Sequence, residues 1–184
     1  GGEAYGDASN PIEMGSGGGR DNAALGGAGG GAIRLTVAGA IVLDGRLGAD
    51  GVTGAEDAGG GSGGSIFVTC GGIGGAGTIT ARGGNANATF AGGGGGGRIA
   101  VYSCNNLLPP ASLIVSGGVG INNGQPGSTS FGSSSIVITE HPVGGDYRGG
   151  DFFQMHAAAT GDGPLSFQWR KRDGLGVFLP LTEG

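Results

Sequence analysis

Three observations in this 184-residue chain predict an all-β fold of stacked turns. First, Ile33, Ile66 and Ile99 open near-equivalent segments, GGGAIRLTV, GSGGSIFVTC and GGGGRIAVYS, spaced 33 residues apart. Second, another beat follows each of them, at Arg46–Gly51, Thr78–Gly83 and Ser112–Gly117. Third, apolar residues alternate with other types inside the first beat, and a period of two is that of a strand. A fixed period of this length marks a repeat architecture, in which each unit buries its apolar face against the next.

Taken in order, the first beat is a strand with Ile33, Leu35 and Val37 on one face and Arg34 and Thr36 on the other. Stacking aligns Ile33 with Ile66 and Ile99, Leu35 with Val68 and Val101, and Val37 with Cys70 and Ser103. The opposite face carries Arg34, Phe67 and Ala100 in one column and Thr36, Thr69 and Tyr102 in the next. The first set is nearly uniform and the second is mixed, so the first is assigned to the core and the second to the outside.

The second beat behaves alike. Leu47, Ile79 and Leu113 form one inward column and Ala49, Ala81 and Val115 another, with Asp50, Arg82 and Ser116 facing out. Asp50 and Arg82 are placed to pair across neighbouring strands, a contact that contributes about 0–1 kcal/mol when exposed. Each buried large aliphatic contributes about 1.5–3 kcal/mol, so the columns dominate. A glycine-rich third side completes the turn of a stacked, parallel β-solenoid-like domain. There glycine has two available roles: positive φ at tight corners, or close approach of one backbone to another. Runs such as Gly92–Gly97 also suit extended, polyproline-like strands bonded laterally.

Glycine supplies 50 residues, far above the average share of about 7%. Such a load normally means disorder, because ordering glycine costs the most backbone entropy. The constant spacing of Ile-x-Leu/Val argues for order instead. The net charge is −5, and positive residues stand singly until Arg170-Lys171-Arg172. No basic stripe is present to neutralise phosphates, which argues against nucleic acid as a partner. No apolar run reaches the roughly 18–20 residues of a membrane-spanning helix, so membrane insertion is not expected. The chain starts mid-motif with Gly1-Gly2-Glu3 and no signal peptide, and both ends read as cut from something longer.

The order GSGGG (15–19), GGAGGGAIRLTV (26–37), GSGGSIFVTC (61–70), GTITARGG (77–84) and GGGGGGRIAVYS (92–103), opened by Tyr5-Gly6-Asp7, resembles a glycine-rich module of very large bacterial surface and secreted proteins. The resemblance covers residues 1–134. It implies an extracellular or cell-surface location, with neighbouring domains of the same chain or identical subunits of a fibre as partners. It implies no catalytic residue and no cofactor.

From residue 135 glycine thins and aromatics gather, with Tyr147, Phe152, Phe153, Phe167, Trp169 and Phe178. Pro142, Gly149-Gly150-Asp151-Phe152-Phe153 and the run Ala159-Thr160-Gly161-Asp162-Gly163-Pro164-Leu165-Ser166-Phe167-Gln168-Trp169 resemble the first half of an immunoglobulin-like domain. The resemblance implies a sandwich with Trp169 as its large core residue, following a strand on which Phe153, Met155 and Ala157 alternate. Ala157 or Ala159 stands where the family's first cysteine would be, so no inter-sheet disulfide is implied. Residues 135–184 thus read as an incomplete immunoglobulin-like β-sandwich, cut short or completed by strand addition from a partner.

Few residues carry recognisable chemistry. Cys70 and Cys104 occupy nearly matching places in successive repeats. Stacking would bring their Cα atoms within the disulfide range of about 4.4–6.8 Å. The alternative is one buried cysteine and one separate thiol, since the two lie four and five residues after their lead isoleucines. Outward Phe67, Phe90 and Tyr102 are candidate platforms for stacking the rings of surface glycans. Asp44, Asp50, Glu56 and Asp57 form the densest acidic group. A glycosidase needs two carboxyls about 5–10 Å apart, and these residues lack acidic counterparts in later repeats, so they read as solvated edge residues. Asp50-Gly51 and Glu56-Asp57 offer oxygen ligands to calcium, but calcium-binding repeats place an aspartate in every turn.

Matches to GxGxxG carry no weight in so glycine-rich a chain, and no GK[ST] follows them. His141 and His156 have no catalytic neighbours in the sequence. Asn87-Ala88-Thr89 fits the N-glycosylation pattern. A threonine ladder of the ice-binding kind begins at Thr36 and Thr69 and ends at Tyr102. The expected function is therefore an extracellular structural or scaffold module without catalysis. An adhesin or carbohydrate-binding module is the next reading. An accessory region of a polysaccharide-active enzyme, with the catalytic domain elsewhere, is the third.

Overall fold

The structure, a computed structural model, describes residues 6–21, 24–87, 90–133, 137–144, 148–149, 154–161, 167–172 and 175–180. The repeat region folds as a parallel β-solenoid of about three turns. Its strands are β1 (Ala32–Val42), β2 (Arg46–Gly48), β3 (Ser65–Gly74), β4 (Thr78–Thr80), β5 (Arg98–Asn106), β6 (Leu113–Ile114) and β7 (Ser128–Gly132). They stack into two parallel sheets, ordered β1-β3-β5-β7 and β2-β4-β6. The register is the one the isoleucine spacing requires: Ile33 pairs with Ile66 and Ile66 with Ile99. In the second sheet Leu47 pairs with Ile79, and Ile79 with Leu113.

Strand β7 departs from the 33-residue period. Ser128 pairs with Arg98 and Thr129 with Ile99, a spacing of 30. With Thr129 in the isoleucine column, apolar periodicity alone gives no signal for this strand. Between the sheets Ile66, Val68, Ile79, Ile99 and Val101 are fully excluded from solvent, and Ala49, Ala81 and Leu113 join them. Burying such columns supplies most of the stabilisation, about 25 cal/mol for each Å² of apolar surface. Ser103 ends the Val37–Cys70 column, and its buried hydroxyl has no hydrogen-bond partner.

The glycine-rich side settles which role its glycines play. Among the described glycines only Gly6, Gly75 and Gly176 have positive φ, so corners are not the main use. Residues 59–64 show what is. Gly60 and Gly63 donate their N–H groups to Gly92 and Gly95 of the next coil (3.1 and 2.8 Å). Gly61 and Gly64 donate to Val52 and Ala49 of their own coil (3.0 and 2.8 Å), and Gly59 and Ser62 donate to Gly19 and Ser16 (both 2.9 Å). Three consecutive residues therefore point in three directions, and the pattern recurs every third residue. A strand repeats every two residues; a period of three is that of the polyproline II helix, which has no internal hydrogen bonds and must bond to neighbours.

Segments 26–31, 59–64, 92–97 and 121–127 form one layer of this array, and segments 49–54, 81–86 and 115–119 form a second layer against it. Residues 15–19 lie on the first layer and bond to both 27–30 and 59–62. Where a glycine faces a neighbouring segment, such packing leaves no room for a side chain: a Cβ built on Gly61 would overlap the Ala28 carbonyl, and one on Gly84 the Val52 carbonyl.

Beyond residue 136 the described residues form two antiparallel pairs, β8 (Val137–Glu140) with β9 (Ala158–Thr160), and β10 (Arg170–Arg172) with β11 (Phe178–Pro180). Trp169 is 37% exposed, so among the described residues it is not enclosed by a core. Phe152, Phe153 and Pro164 lie outside the described residues, as do Ala88 and Thr89 of the glycosylation pattern. No helix of the described residues is long and apolar enough to cross a membrane.

Candidate functional site

The outer face of the first sheet is covered rather than open. Phe67 is buried at 8% exposure, and Thr69 beside it is buried as well. Residues 9–16 run across this face. The Tyr102 hydroxyl donates to the Ser9 carbonyl (2.8 Å), and the Ser65 hydroxyl to that of Glu13 (2.6 Å). Pro11 is fully buried. The Arg34 guanidinium sits 4.5 Å over the Phe67 ring, and Phe67 meets Tyr102 with ring centroids 5.5 Å apart. The three aromatics proposed as a sugar platform are thus divided: Tyr102 holds the N-terminal segment, Phe67 is buried against Arg34 and Tyr102, and Phe90, at 85% exposure, stands in solvent. Replacing Tyr102 by Phe removes the bond to Ser9. We expect a loss of about 0.5–1.5 kcal/mol in urea unfolding and faster proteolysis within residues 6–13.

Both cysteines are thiols and not halves of a disulfide. The register explains this. Cys70 lies opposite Ser103, so Cys104, one residue on, points to the other side of its strand, where it is exposed. Burial pushes the Cys70 thiol up, and the nearby Cys104 adds to the shift. A folded thiol that ionises later than the unfolded one contributes stability that is complete below the usual value of 9.0 and declines as pH rises above it. A thiol reagent at neutral pH is expected to label Cys104 in the folded protein and Cys70 only after denaturation, which mass spectrometry of digests will resolve.

Two of the acidic residues, Asp44 and Asp50, serve the stack. Asp50 does not pair with the Arg82 guanidinium. Its carboxylate accepts the Arg82 backbone N–H (2.7 Å) and the Thr80 hydroxyl (3.1 Å), and its ion-pair partner is Arg46, four residues back in sequence. Asp44 accepts the N–H of Ala76 (3.1 Å), again from the next coil. Both therefore tie one coil to another. Glu140 meets His156 at 2.9 Å across the exposed β8–β9 pair. Among the described residues no group of three or more His, Cys, Asp or Glu is arranged to hold a metal ion.

A trough runs along the open face of the first glycine layer, beside residues 15–19. Its floor includes Gly92 and Gly95, and one side is formed by Asn122 and Gln125. Phe90 lines it too. Sequence periodicity did not mark Asn122 or Gln125, because the last coil is three residues shorter than the others. The fold and this surface together define a β-solenoid whose third side is a polyglycine array. Comparison with family models, curated proteins and solved structures finds no match.

Proposed function

We propose that this chain is a non-catalytic structural scaffold module of a large extracellular or surface protein or filament. The observation that supports it most directly is the three-directional bonding of the glycine layers. Rigidity there comes from backbone groups alone, so exposed side chains and loops are free to vary without loosening the block. Each coil advances the stack by one strand spacing, about 4.8 Å, so the module acts as a thick, stiff block. The extracellular setting and the flanking partners rest on the resemblance of residues 1–134 to glycine-rich surface modules.

Residues 135–184 are read with it as the opening half of an immunoglobulin-like sandwich. The antiparallel pairing of β8 with β9 and of β10 with β11 supports that reading. So does the exposure of Phe167, Trp169 and Phe178, which leaves an apolar surface for a second sheet. Electron microscopy of the native protein tests the proposal. Regular fibres, or blocks of fixed width within a longer molecule, are the expected result. Saturable binding on a glycan array without any ordered assembly would replace it with the carbohydrate-binding reading.

A further inference from the structure

The glycine layer contains one groove already filled by this chain, and that groove shows what an open one would take. Residues 15–19 lie between segments 26–31 and 59–64, antiparallel to both. Gly15 and Gly18 donate to the carbonyls of Gly30 and Gly27 (both 2.8 Å), while Ser16 and Gly19 accept from Ser62 and Gly59 (both 2.9 Å). The Ser16 N–H also meets the Ser62 hydroxyl (2.6 Å). Beneath the strand sit Gly26 and Gly29, whose added Cβ atoms would overlap the carbonyls of Gly18 and Gly15. Within the strand, a Cβ on Gly15 or Gly18 would overlap the carbonyl of Ser62 or Gly59. A Cβ on Gly17 finds its nearest atom at 3.7 Å, and one on Gly19 finds none. The groove thus demands glycine at every third residue of its occupant and accepts side chains at the other two.

The same template recurs between segments 92–97 and 121–127. Gly93 and Gly96 bond to Asn122 and Gln125 as Gly60 and Gly63 bond to Gly92 and Gly95, so Asn122 and Gln125 are the counterparts of Gly59 and Ser62. Gly92 and Gly95 take the places of Gly26 and Gly29 on the floor. Their added Cβ atoms would meet only the Asn122 and Gln125 carbonyls, at 3.5 and 3.8 Å. Among the described residues, the carbonyls of Gly93 and Gly96 accept no backbone hydrogen bond and the N–H groups of Asn122 and Gln125 donate none. The intervening groove is different, because Ser62 stands where Gly29 stood and its hydroxyl is engaged with Ser16.

We propose that the groove between residues 92–97 and 121–127 docks a polyproline II strand of another polypeptide, with glycine at every third position and proline among the rest. Four backbone hydrogen bonds do not offset the ordering of a free polyglycine chain. Proline at the tolerant positions fixes φ at the value the groove needs and lowers that cost. Phe90, exposed along the trough, gives proline rings the aromatic surface that polyproline II ligands use elsewhere. The strand runs antiparallel to residues 92–97. Its glycines donate to Gly93 and Gly96, and its carbonyls accept from Asn122 and Gln125.

The test is a titration of the isotope-labelled chain with end-capped (Gly-Ser-Pro)3, followed by amide chemical shifts. Saturable shifts centred on Asn122 and Gln125 are expected. Gly95→Leu should weaken binding roughly tenfold or more, because its side chain fills the floor while its Cβ, 3.8 Å from the Gln125 carbonyl, makes only ordinary contact in the unliganded fold. Thermal unfolding of this variant at the wild-type temperature establishes that it is folded, and Gly92→Leu repeats the experiment one turn away. The peptide (Ala-Ser-Pro)3 should not bind. Absence of saturable shifts up to about 5 mM peptide, or shifts that persist with Gly95→Leu and with the alanine peptide, overturns the proposal.

Discussion

Gly94→Ala is expected to destabilise the protein by about 3 kcal/mol, at the upper end of what overpacking costs, while Gly95→Ala, one residue on, is neutral or slightly stabilising. At Gly94 the new methyl would overlap the carbonyl of Gly61. That backbone cannot move aside easily, since Gly84 donates to the same carbonyl (2.8 Å) and Gly61 donates to Val52. Gly94 is itself held between Gly84, to which it donates, and Gly118, from which it accepts. At Gly95 the methyl points into the open trough, 3.8 Å from its nearest atom. There it only restricts the unfolded chain, an effect of about 0.4–1 kcal/mol in favour of folding. Thermal unfolding should separate the two variants by roughly 6–15 °C, at about 2–4 °C for each kcal/mol in a chain of this size. Equal effects would mean that the third side is loosely packed and not a period-three array.

Ile66→Ala is expected to cost about 2–5 kcal/mol. Ile66 is fully buried, with Ile33 on one side of it and Ile99 on the other. Removing three carbons there leaves a cavity that the two flanking strands cannot close without breaking their parallel ladder. Ile33, only partly buried at the end of the stack, should lose less on the same substitution. Urea titrations of the two variants measure the difference. A larger loss at Ile33 would show that the end coil, and not the middle one, governs cooperativity.

Much of the solenoid is legible in the residues. Ile33, Ile66 and Ile99, with Leu47, Ile79 and Leu113, fix both sheets and their registers, because a slip of one residue would turn every apolar side chain outward. The fourth strand, Ser128–Gly132, is not legible in the same way, since its spacing is 30 and its column residue is Thr129. The candidate surface was legible only in part. Phe67 and Tyr102 alternate outward as their positions require, yet what lies over them comes from residues some 50 to 90 positions earlier, such as Ser9 and Glu13. No local pattern encodes that contact.

The residues alone dictate an all-β stack and its inward columns, because period-two alternation repeated at constant spacing has few other solutions. They also make Cys70 a core residue, through its place beneath Val37. What the glycines do depends on their surroundings in three dimensions. A glycine run has no side chains to pattern, so its conformation depends on which backbones surround it. Here the neighbours on three sides select the polyproline II form, and the same neighbours decide which glycines tolerate a side chain and which do not.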